Sequence, residues 1–147
     1  MRSVIPPILF ALLLVPLGLL AAFHPEGGRI WTTTAAPWHV PLPLGLALLV
    51  WARLHFKRRS AEIHTFREPK SLVTDGPFRF SRNPMYLGFA LLLLSAALAV
   101  NTWCALLAPL TFLLVAAFWY VPHEERSLRA IFGTAYDDYA WRTRRWI

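Results

Sequence analysis

The feature that most constrains this chain is an uncharged apolar run near its amino terminus. Residues 4 to 23 contain no charged residue, and a helix needs roughly 20 apolar residues to cross a bilayer. The run exceeds the ~7–15-residue core of a signal peptide, which favours a membrane helix over a cleaved signal. The chain of 147 residues is 56% hydrophobic with a mean hydropathy of +0.45, more apolar than a soluble domain of this size. Both observations predict an integral membrane protein.

Three further apolar runs follow the first. They cover about Ala35 to Ala52, Pro84 to Val100 and Trp103 to Val121, which gives four predicted transmembrane helices. Only Asn101-Thr102 separates the last two runs, so these two helices are predicted to form a tight antiparallel hairpin. The predicted fold class is therefore an all-α integral membrane protein with about four transmembrane helices. A polar, cytoplasmic loop joins the second and third helices, and a helical C-terminal tail runs from Pro122 to Ile147.

Basic residues are concentrated beside the apolar runs. The segment from 53 to 84 holds eight of the fifteen Lys and Arg residues. A net charge of +7 can indicate nucleic-acid binding, but charges that bracket apolar runs argue against that partner and for a lipid bilayer. By the positive-inside rule, both termini and the 53–84 loop are predicted to be cytoplasmic. Cys104 is the only cysteine, so neither an intramolecular disulfide nor a cysteine metal cluster can form.

The start of the third apolar run carries the first candidate site. Asn83 precedes Pro84, and Asn is a favoured N-cap while Pro is favoured at the first helical position. The simplest interpretation is an ordinary helix start. A second interpretation is that the free amides of this helix end, together with Arg79 and Arg82, face an anionic ligand group. Tyr86 would then offer a ring and a hydroxyl to the same ligand.

An acidic pair, Glu124 and Glu125, follows the fourth apolar run. The positive-inside rule favours Lys or Arg at such a position, so two carboxylates there need an explanation. One interpretation is a solvated helix in which Glu125 pairs with Arg129 four residues later, worth about 0.3–0.5 kcal/mol. The other is that a carboxylate accepts hydrogen bonds from the hydroxyls or the amine of a ligand whose anionic end lies at Arg82.

The segment after the acidic pair has two further features. Gly133 is predicted to end the helix that contains the pair. Tyr136 and Tyr139 lie beyond it, and they are candidates either for an aromatic wall of the site or for anchors at the membrane interface.

Two separated motifs resemble a known family. The first is L-V-T-D-G-P-F-R-F-S-R-N-P-M-Y-L-G at 72–88, and the second is E-E-R-S-L-R-A-I-F-G-T-A-Y-D-D-Y at 124–139. In this order and spacing they resemble the isoprenylcysteine carboxyl methyltransferase family and its phospholipid methyltransferase relatives. The resemblance implies a membrane methyltransferase whose core occupies residues 57–147, with the helices of residues 1–56 as a scaffold.

The same resemblance implies a cofactor and a set of site residues. Members of this family bind S-adenosylmethionine with the loop, the helix start and the acidic pair, at the cytoplasmic face of the membrane. Arg82 and Glu125 are thereby implied in catalysis, and no metal is implied. The implied cofactor-binding residues are Leu72, Val73, Phe78, Arg82, Asn83, Pro84, Met85, Tyr86 and Glu124.

Two departures from the family pattern bear on the methyl acceptor. The family most often has His where this chain has Asn83, and the arginine that prenyl-cysteine enzymes place four residues before the acidic pair falls on Tyr120. The second departure argues against a prenyl-cysteine carboxylate as substrate. The expected activity is methyl transfer to a lipid-like or apolar acceptor. A carboxyl acceptor would need no base, whereas an amine would need a proton acceptor such as Glu125 or His123.

Other functional classes remain as alternatives or are disfavoured. A lipid amine N-methyltransferase is the enzymatic alternative, and a non-enzymatic membrane subunit whose basic loop binds anionic headgroups is the other. A soluble-type methyltransferase domain is disfavoured, because the seven glycines form no G-x-G pattern. The five histidines form no H-x-x-x-H pair, which disfavours a metal hydrolase.

Overall fold

The protein is a set of helices. The structure, a computed structural model, describes residues 6–23, 29–30, 37–59 and 72–147, and every regular element in these ranges is helical. The α-helices are α1 (Pro6–Phe23), α2 (Pro41–Arg59), α3 (Pro84–Val100), α4 (Leu107–Val115), α5 (Val121–Phe132) and α6 (Thr134–Arg142). Short 3-10 turns at Pro37–His39, Gly76–Arg79 and Trp103–Leu106 precede α2, α3 and α4. A π-helical turn at Ala116–Tyr120 joins α4 to α5.

Three helical stretches are long and apolar enough to cross a membrane. They are Pro6–Phe23, Pro37–Arg58 and Trp103–Phe132. The stretch Pro84–Val100 is also apolar but shorter, at 17 residues. Large apolar side chains on these helices are exposed, as Phe118 is at 78%. An apolar outer surface of this kind fits contact with lipid, so the prediction of an all-helical membrane protein is confirmed.

Two helices extend beyond their predicted ends. α2 continues past Ala52 to Arg59, because long basic side chains can carry their charge to the aqueous layer while the helix itself continues. The fourth apolar stretch continues past Val121 to Phe132. Pro122 does not interrupt it, because the π-helical turn Ala116–Tyr120 just before it is the kind of local adjustment by which membrane helices tolerate proline. Residues 60–71 of the predicted polar loop lie outside the described residues.

The predicted tight turn between α3 and α4 is confirmed. Asn101 ends α3 in the left-handed conformation, with φ of 60°, which Asn tolerates better than most residues. Its carbonyl and its Oδ1 both accept from the Ile30 backbone N–H, at 3.3 and 3.1 Å. Arg29 forms an isolated β-bridge with Thr102. The α1–α2 connection therefore contacts the α3–α4 turn at one end of the helical assembly.

Small residues let α2 and α3 approach closely. A Cβ on Gly88 would lie 2.5 Å from Cγ of Leu49, and a Cβ on Gly45 would lie 3.0 Å from the Gly88 carbonyl oxygen. Neither position has room for a larger side chain without movement of its neighbours. Helices in membranes associate through such close contacts, because lipid provides no hydrophobic drive between them. This contact fixes the start of α3 against α2, and Gly88 is the last residue of the first motif.

Candidate functional site

The loop before α3 is seated on the end of α2. Gly76 has φ of +60° and opens the 3-10 turn Gly76–Arg79. A Cβ at this glycine would lie 2.7 Å from Cε1 of His55, so the loop backbone lies directly against the imidazole. The same ring places Nε2 2.9 Å from Oδ1 of Asp75. These contacts position the first motif relative to the transmembrane helices.

The carboxyl tail folds back onto the start of α3. The backbone N–H of Arg82 donates to the Arg144 carbonyl at 3.0 Å, and the hydroxyl of Ser81 lies 3.4 Å from the Arg145 carbonyl. Asn83 occupies the N-cap position of α3, but its side chain makes no capping hydrogen bond. Its Nδ2 donates instead to the Arg145 carbonyl at 2.9 Å, because the tail brings that acceptor within reach. The predicted side-chain cap is therefore wrong, whereas Pro84 does begin the helix.

One cavity of about 550 Å³ gathers the residues implied by the first motif and the acidic pair. Its volume lies within the range of small-molecule sites, and most of its lining side chains are apolar. All nine residues implied in cofactor binding line it: Leu72, Val73, Phe78, Arg82, Asn83, Pro84, Met85, Tyr86 and Glu124. The two motifs thus meet at one site, although residues 89–123 lie between them in the sequence.

Glu124 and Arg82 supply the charged groups of this cavity. The Tyr86 hydroxyl donates to Oε1 of Glu124 at 2.8 Å, which joins α3 to α5 across the site. The Tyr86 ring stacks against Tyr120 of the π-helical turn, with centroids 6.2 Å apart. π-helical turns are frequent at functional sites. Nε of Arg82 is buried and has no hydrogen-bond acceptor within the described part of the chain. The Arg82 guanidinium lines the cavity, and its charge suits an anionic group there.

Arg79 does not share the site of Arg82, contrary to the prediction that the two face one anion. Arg79 lines a second cavity, which shares only Tyr139 with the first. The 3-10 turn that carries Arg79 accounts for the separation. The two arginines lie on different local structures, Arg79 at the end of that turn and Arg82 beside the start of α3.

Glu125 occupies a different environment from Glu124. Its carboxylate receives two hydrogen bonds from Arg145, Nε to Oε1 at 3.0 Å and Nη2 to Oε2 at 2.7 Å. Nη1 of Arg82 lies 3.4 Å from the same carboxylate. The alternative prediction, a Glu125–Arg129 ion pair, is wrong, because Arg129 pairs with Asp137 at 2.7 Å. Glu125 is buried and does not line the cavity.

Two tyrosines of α6 support the site from the tail. The Tyr139 hydroxyl donates to the Phe78 carbonyl at 2.7 Å, and the Tyr136 hydroxyl accepts from Nη1 of Arg82 at 3.5 Å. Burial raises the pKa of both phenols above the ordinary value, so both stay protonated at neutral pH. The hydrogen bonds from Arg145 to Glu125 likewise raise the pKa of the Arg145 guanidinium, which therefore stays charged. Gly133, with φ of 53°, ends α5 as predicted.

Three residues that line the first cavity come from α1 and α2, and none of them was predicted from the sequence. Pro6 and Pro7 at the start of α1, and Phe56 near the end of α2, line the same cavity as the two motifs. A signal for them does exist. Helices that alternate in direction place the start of the first, the end of the second and the start of the third at the same end of the assembly. Arg145 had no comparable signal, because its contacts are distant in sequence.

Fold and site together define a class of protein: a helical membrane protein with a cofactor-sized cavity where its helix ends meet. The family model for phospholipid methyltransferase matches residues 40–135, well over half of the chain. The chain belongs to this family and is a membrane methyltransferase. The matched segment contains the whole first motif and most of the second, whereas membership of the isoprenylcysteine branch stays a prediction. No curated protein and no solved structure matches the chain.

Proposed function

We propose that the cavity binds S-adenosylmethionine, and that the protein methylates a lipid-like acceptor at the cytoplasmic membrane face. The observation that carries this proposal is the meeting of Arg82 and Glu124 in one mainly apolar cavity. The cofactor has an anionic carboxylate, a cationic ammonium, a ribose diol and an aromatic base. A cavity with a guanidinium, a carboxylate and apolar walls matches each of these groups.

Individual residues can be proposed for each part of the cofactor. Arg82 and the first free amides of α3 would hold the carboxylate. Glu124 would accept hydrogen bonds from the ammonium or the ribose diol, with its orientation fixed by the Tyr86 hydroxyl. Val73 and Phe78 would form the apolar wall for the base. When bound, the cofactor supplies an electrophilic methyl group, and the protein aligns the acceptor and excludes water.

Two observations favour an amine on a phospholipid headgroup as the methyl acceptor. Phospholipid is the substrate class in the name of the family, and Tyr120 stands where prenyl-cysteine enzymes carry an arginine. An amine must lose its proton before it attacks the methyl group. His123 lines the cavity and is the better candidate for the proton acceptor. A carboxyl acceptor, which needs no base, is the second candidate.

Glu125 is proposed to act through Arg82. Two arginines already engage its carboxylate, so it is poorly placed to accept a proton from an acceptor in the cavity. Holding the Arg82 guanidinium in place is the role that these contacts support. The apolar residues Leu128 and Ile131 of α5, also in the lining, would face the acyl chains of an acceptor that enters from the bilayer.

The cofactor assignment is tested by calorimetric titration of S-adenosylmethionine into purified protein. Glu124→Gln should weaken binding about tenfold or more, because a hydrogen bond to a charged group contributes about 1.5–3 kcal/mol. Asp137→Asn is the matched control, because Asp137 is an exposed acid whose partner is Arg129. If Glu124→Gln binds as tightly as the control while both remain folded, the assignment of Glu124 is wrong.

The chemistry at the acceptor is tested with methyl-tritiated cofactor. Lipid extracts from the reaction are treated with mild base, which releases methanol from methyl esters and nothing from methylamines. The amine proposal predicts label that stays non-volatile on the headgroup amine, even where the base also removes the acyl chains. Volatile label would show carboxyl methylation instead.

A further inference from the structure

The second cavity lies between the loop before α3 and the last helix. Its volume is about 600 Å³. The lining residues come from the first motif and from the segment around α6: Thr74, Arg79, Ala135, Asp138, Tyr139, Arg142 and Thr143. None of these except Tyr139 lines the first cavity. The Tyr139 hydroxyl donates to the Phe78 carbonyl. The function proposed above does not use this cavity.

Three charged side chains face this space without ion-pair partners in the described ranges. They are Arg79 on the 3-10 turn, and Asp138 and Arg142 on α6. Asp138 and Arg142 are four residues apart on one helix face, where opposite charges commonly pair. The ion pair that α6 does form is between Asp137 and Arg129, at 2.7 Å. Two guanidinium groups and one carboxylate, all on exposed residues, therefore line this cavity without an ion-pair partner in the described part of the chain.

Exposed aromatic side chains flank the two arginines. Phe80 follows Arg79 in sequence and is 67% exposed, and Trp141 precedes Arg142 and is 92% exposed. Aromatic residues of this kind collect at the level of the lipid headgroups. Exposed aromatic residues next in sequence to both cavity arginines fit a cavity mouth at the headgroup layer, where phosphate groups are the abundant anions.

We propose that this cavity binds the headgroup of a zwitterionic phospholipid. Arg79 and Arg142 would hold the phosphate, since guanidinium groups bind phosphate through paired hydrogen bonds. Asp138 would accept from the ammonium of the same headgroup. This lipid would be a bound neighbour of the methylation site and not the acceptor, because the two cavities have only Tyr139 in common among their lining residues. The bound headgroup would hold α6 and the loop before α3 against the membrane surface.

Native mass spectrometry of the detergent-purified protein tests the site, with short-chain phosphatidylethanolamine as the probe. The double variant Arg79→Gln/Arg142→Gln should retain lipid with at least tenfold lower affinity at one site. The matched control is Arg126→Gln/Arg144→Gln, which removes two exposed arginines outside both cavities. Both double variants keep the first cavity intact and should retain any lipid bound there. The difference in lipid retention between the two variants therefore measures binding at the second cavity. Equal retention by the two double variants overturns the proposal.

Two further arms identify the source and the charge of the ligand. Asp138→Asn should reduce retention of phosphatidylethanolamine and leave retention of phosphatidylglycerol, which has no ammonium, unchanged. Equal losses for both lipids overturn the zwitterionic assignment. Inorganic phosphate that displaces the lipid at equal concentration would make this a free phosphate site and overturn the lipid assignment. S-adenosylmethionine affinity should be unchanged in the Arg79→Gln/Arg142→Gln variant. The calorimetric titration therefore tests the cofactor proposal independently of the lipid site.

Discussion

Arg145→Gln is the perturbation that best tests how the tail supports the site. This substitution removes both hydrogen bonds from the Arg145 guanidinium to Glu125, at 3.0 and 2.7 Å. It leaves the Arg145 carbonyl in place, so the backbone contacts with Ser81 and Asn83 can persist. Glu125 then keeps Arg82, at 3.4 Å, as its ion-pair partner within the described residues.

The size of the effect follows from how buried each partner is. The Glu125 side chain is 11% exposed, and removal of one partner from a fully buried ion pair costs about 3–5 kcal/mol. The Arg145 side chain is 41% exposed, so water compensates part of that loss. The expected destabilisation is therefore about 1.5–3 kcal/mol, the range for hydrogen bonds to charged groups. A carboxylate with one remaining partner also draws the Arg82 guanidinium closer and away from the cavity.

Two measurements check this prediction. Thermal unfolding in detergent should show a lower midpoint for Arg145→Gln, and steady-state kinetics should show a KM for S-adenosylmethionine raised about three- to tenfold with a smaller change in kcat. Arg145→Lys, which keeps the charge but not the paired geometry, should restore part of both losses. Glu125→Gln combined with Arg145→Gln should cost less than the sum of the single changes.

Arg144→Gln is the matched control for this experiment. The Arg144 side chain is exposed, and its Nη1 lies 3.5 Å from the Ile147 carbonyl, while the contact with Arg82 uses the Arg144 backbone. The control should therefore change stability by no more than about 0.5 kcal/mol. If Arg145→Gln and Arg144→Gln have the same midpoint and the same KM, the tail does not position Arg82 and the reasoning is refuted.

Two further predictions concern the helices around the cavity. Gly88→Ala should destabilise the protein by about 1–3 kcal/mol, because its Cβ would lie 2.5 Å from Cγ of Leu49, whereas Gly18→Ala, with nothing within 4 Å, should be tolerated. Thermal unfolding distinguishes them, and equal midpoints would argue against the close α2–α3 contact. Tyr86→Phe removes the 2.8 Å hydrogen bond to Glu124 and should weaken S-adenosylmethionine binding about threefold to tenfold by calorimetry. Unchanged affinity would show that Glu124 does not need this donor.

The helices could be predicted from the sequence because membrane crossing depends mainly on the length of uncharged runs. That rule gave α1 within two residues of its start. Both ends of α3 were predicted from other signals, the helix start at Asn83-Pro84 and the polar pair Asn101-Thr102, because no charge interrupts residues 83–122. The length rule failed at the end of α2, where basic residues continue the helix to Arg59. The length of an uncharged run shows where contact with lipid ends. It does not show where the helix ends, because a helix can continue into the aqueous layer.

The candidate site was predictable where its residues are local in sequence, and less so where they are distant. The nine residues of the implied cofactor site come from two short motifs, and all nine line one cavity. The tail contacts had no such signal. Asn83 and Arg145 are 62 residues apart, and no local pattern distinguishes Arg145 from Arg144 beside it. The predicted cap at Asn83 failed for this reason, since a distant carbonyl competes with the local backbone for its side chain.

The acidic pair shows why two identical neighbours need not share one role. Glu124 lines the cavity, whereas Glu125, which points about 100° away from it on the same helix, does not. Glu124 bonds with Tyr86 in the cavity, whereas Glu125 bonds with Arg145 and lies next to Arg82. Arg82 is the residue that lines the cavity and also contacts the buried carboxylate. Replacement of Glu124 should therefore alter cofactor affinity with little change in stability. Replacement of Glu125 should lower both cofactor affinity and stability, because the Arg82 guanidinium would stay buried without its carboxylate partner and would no longer be held in place.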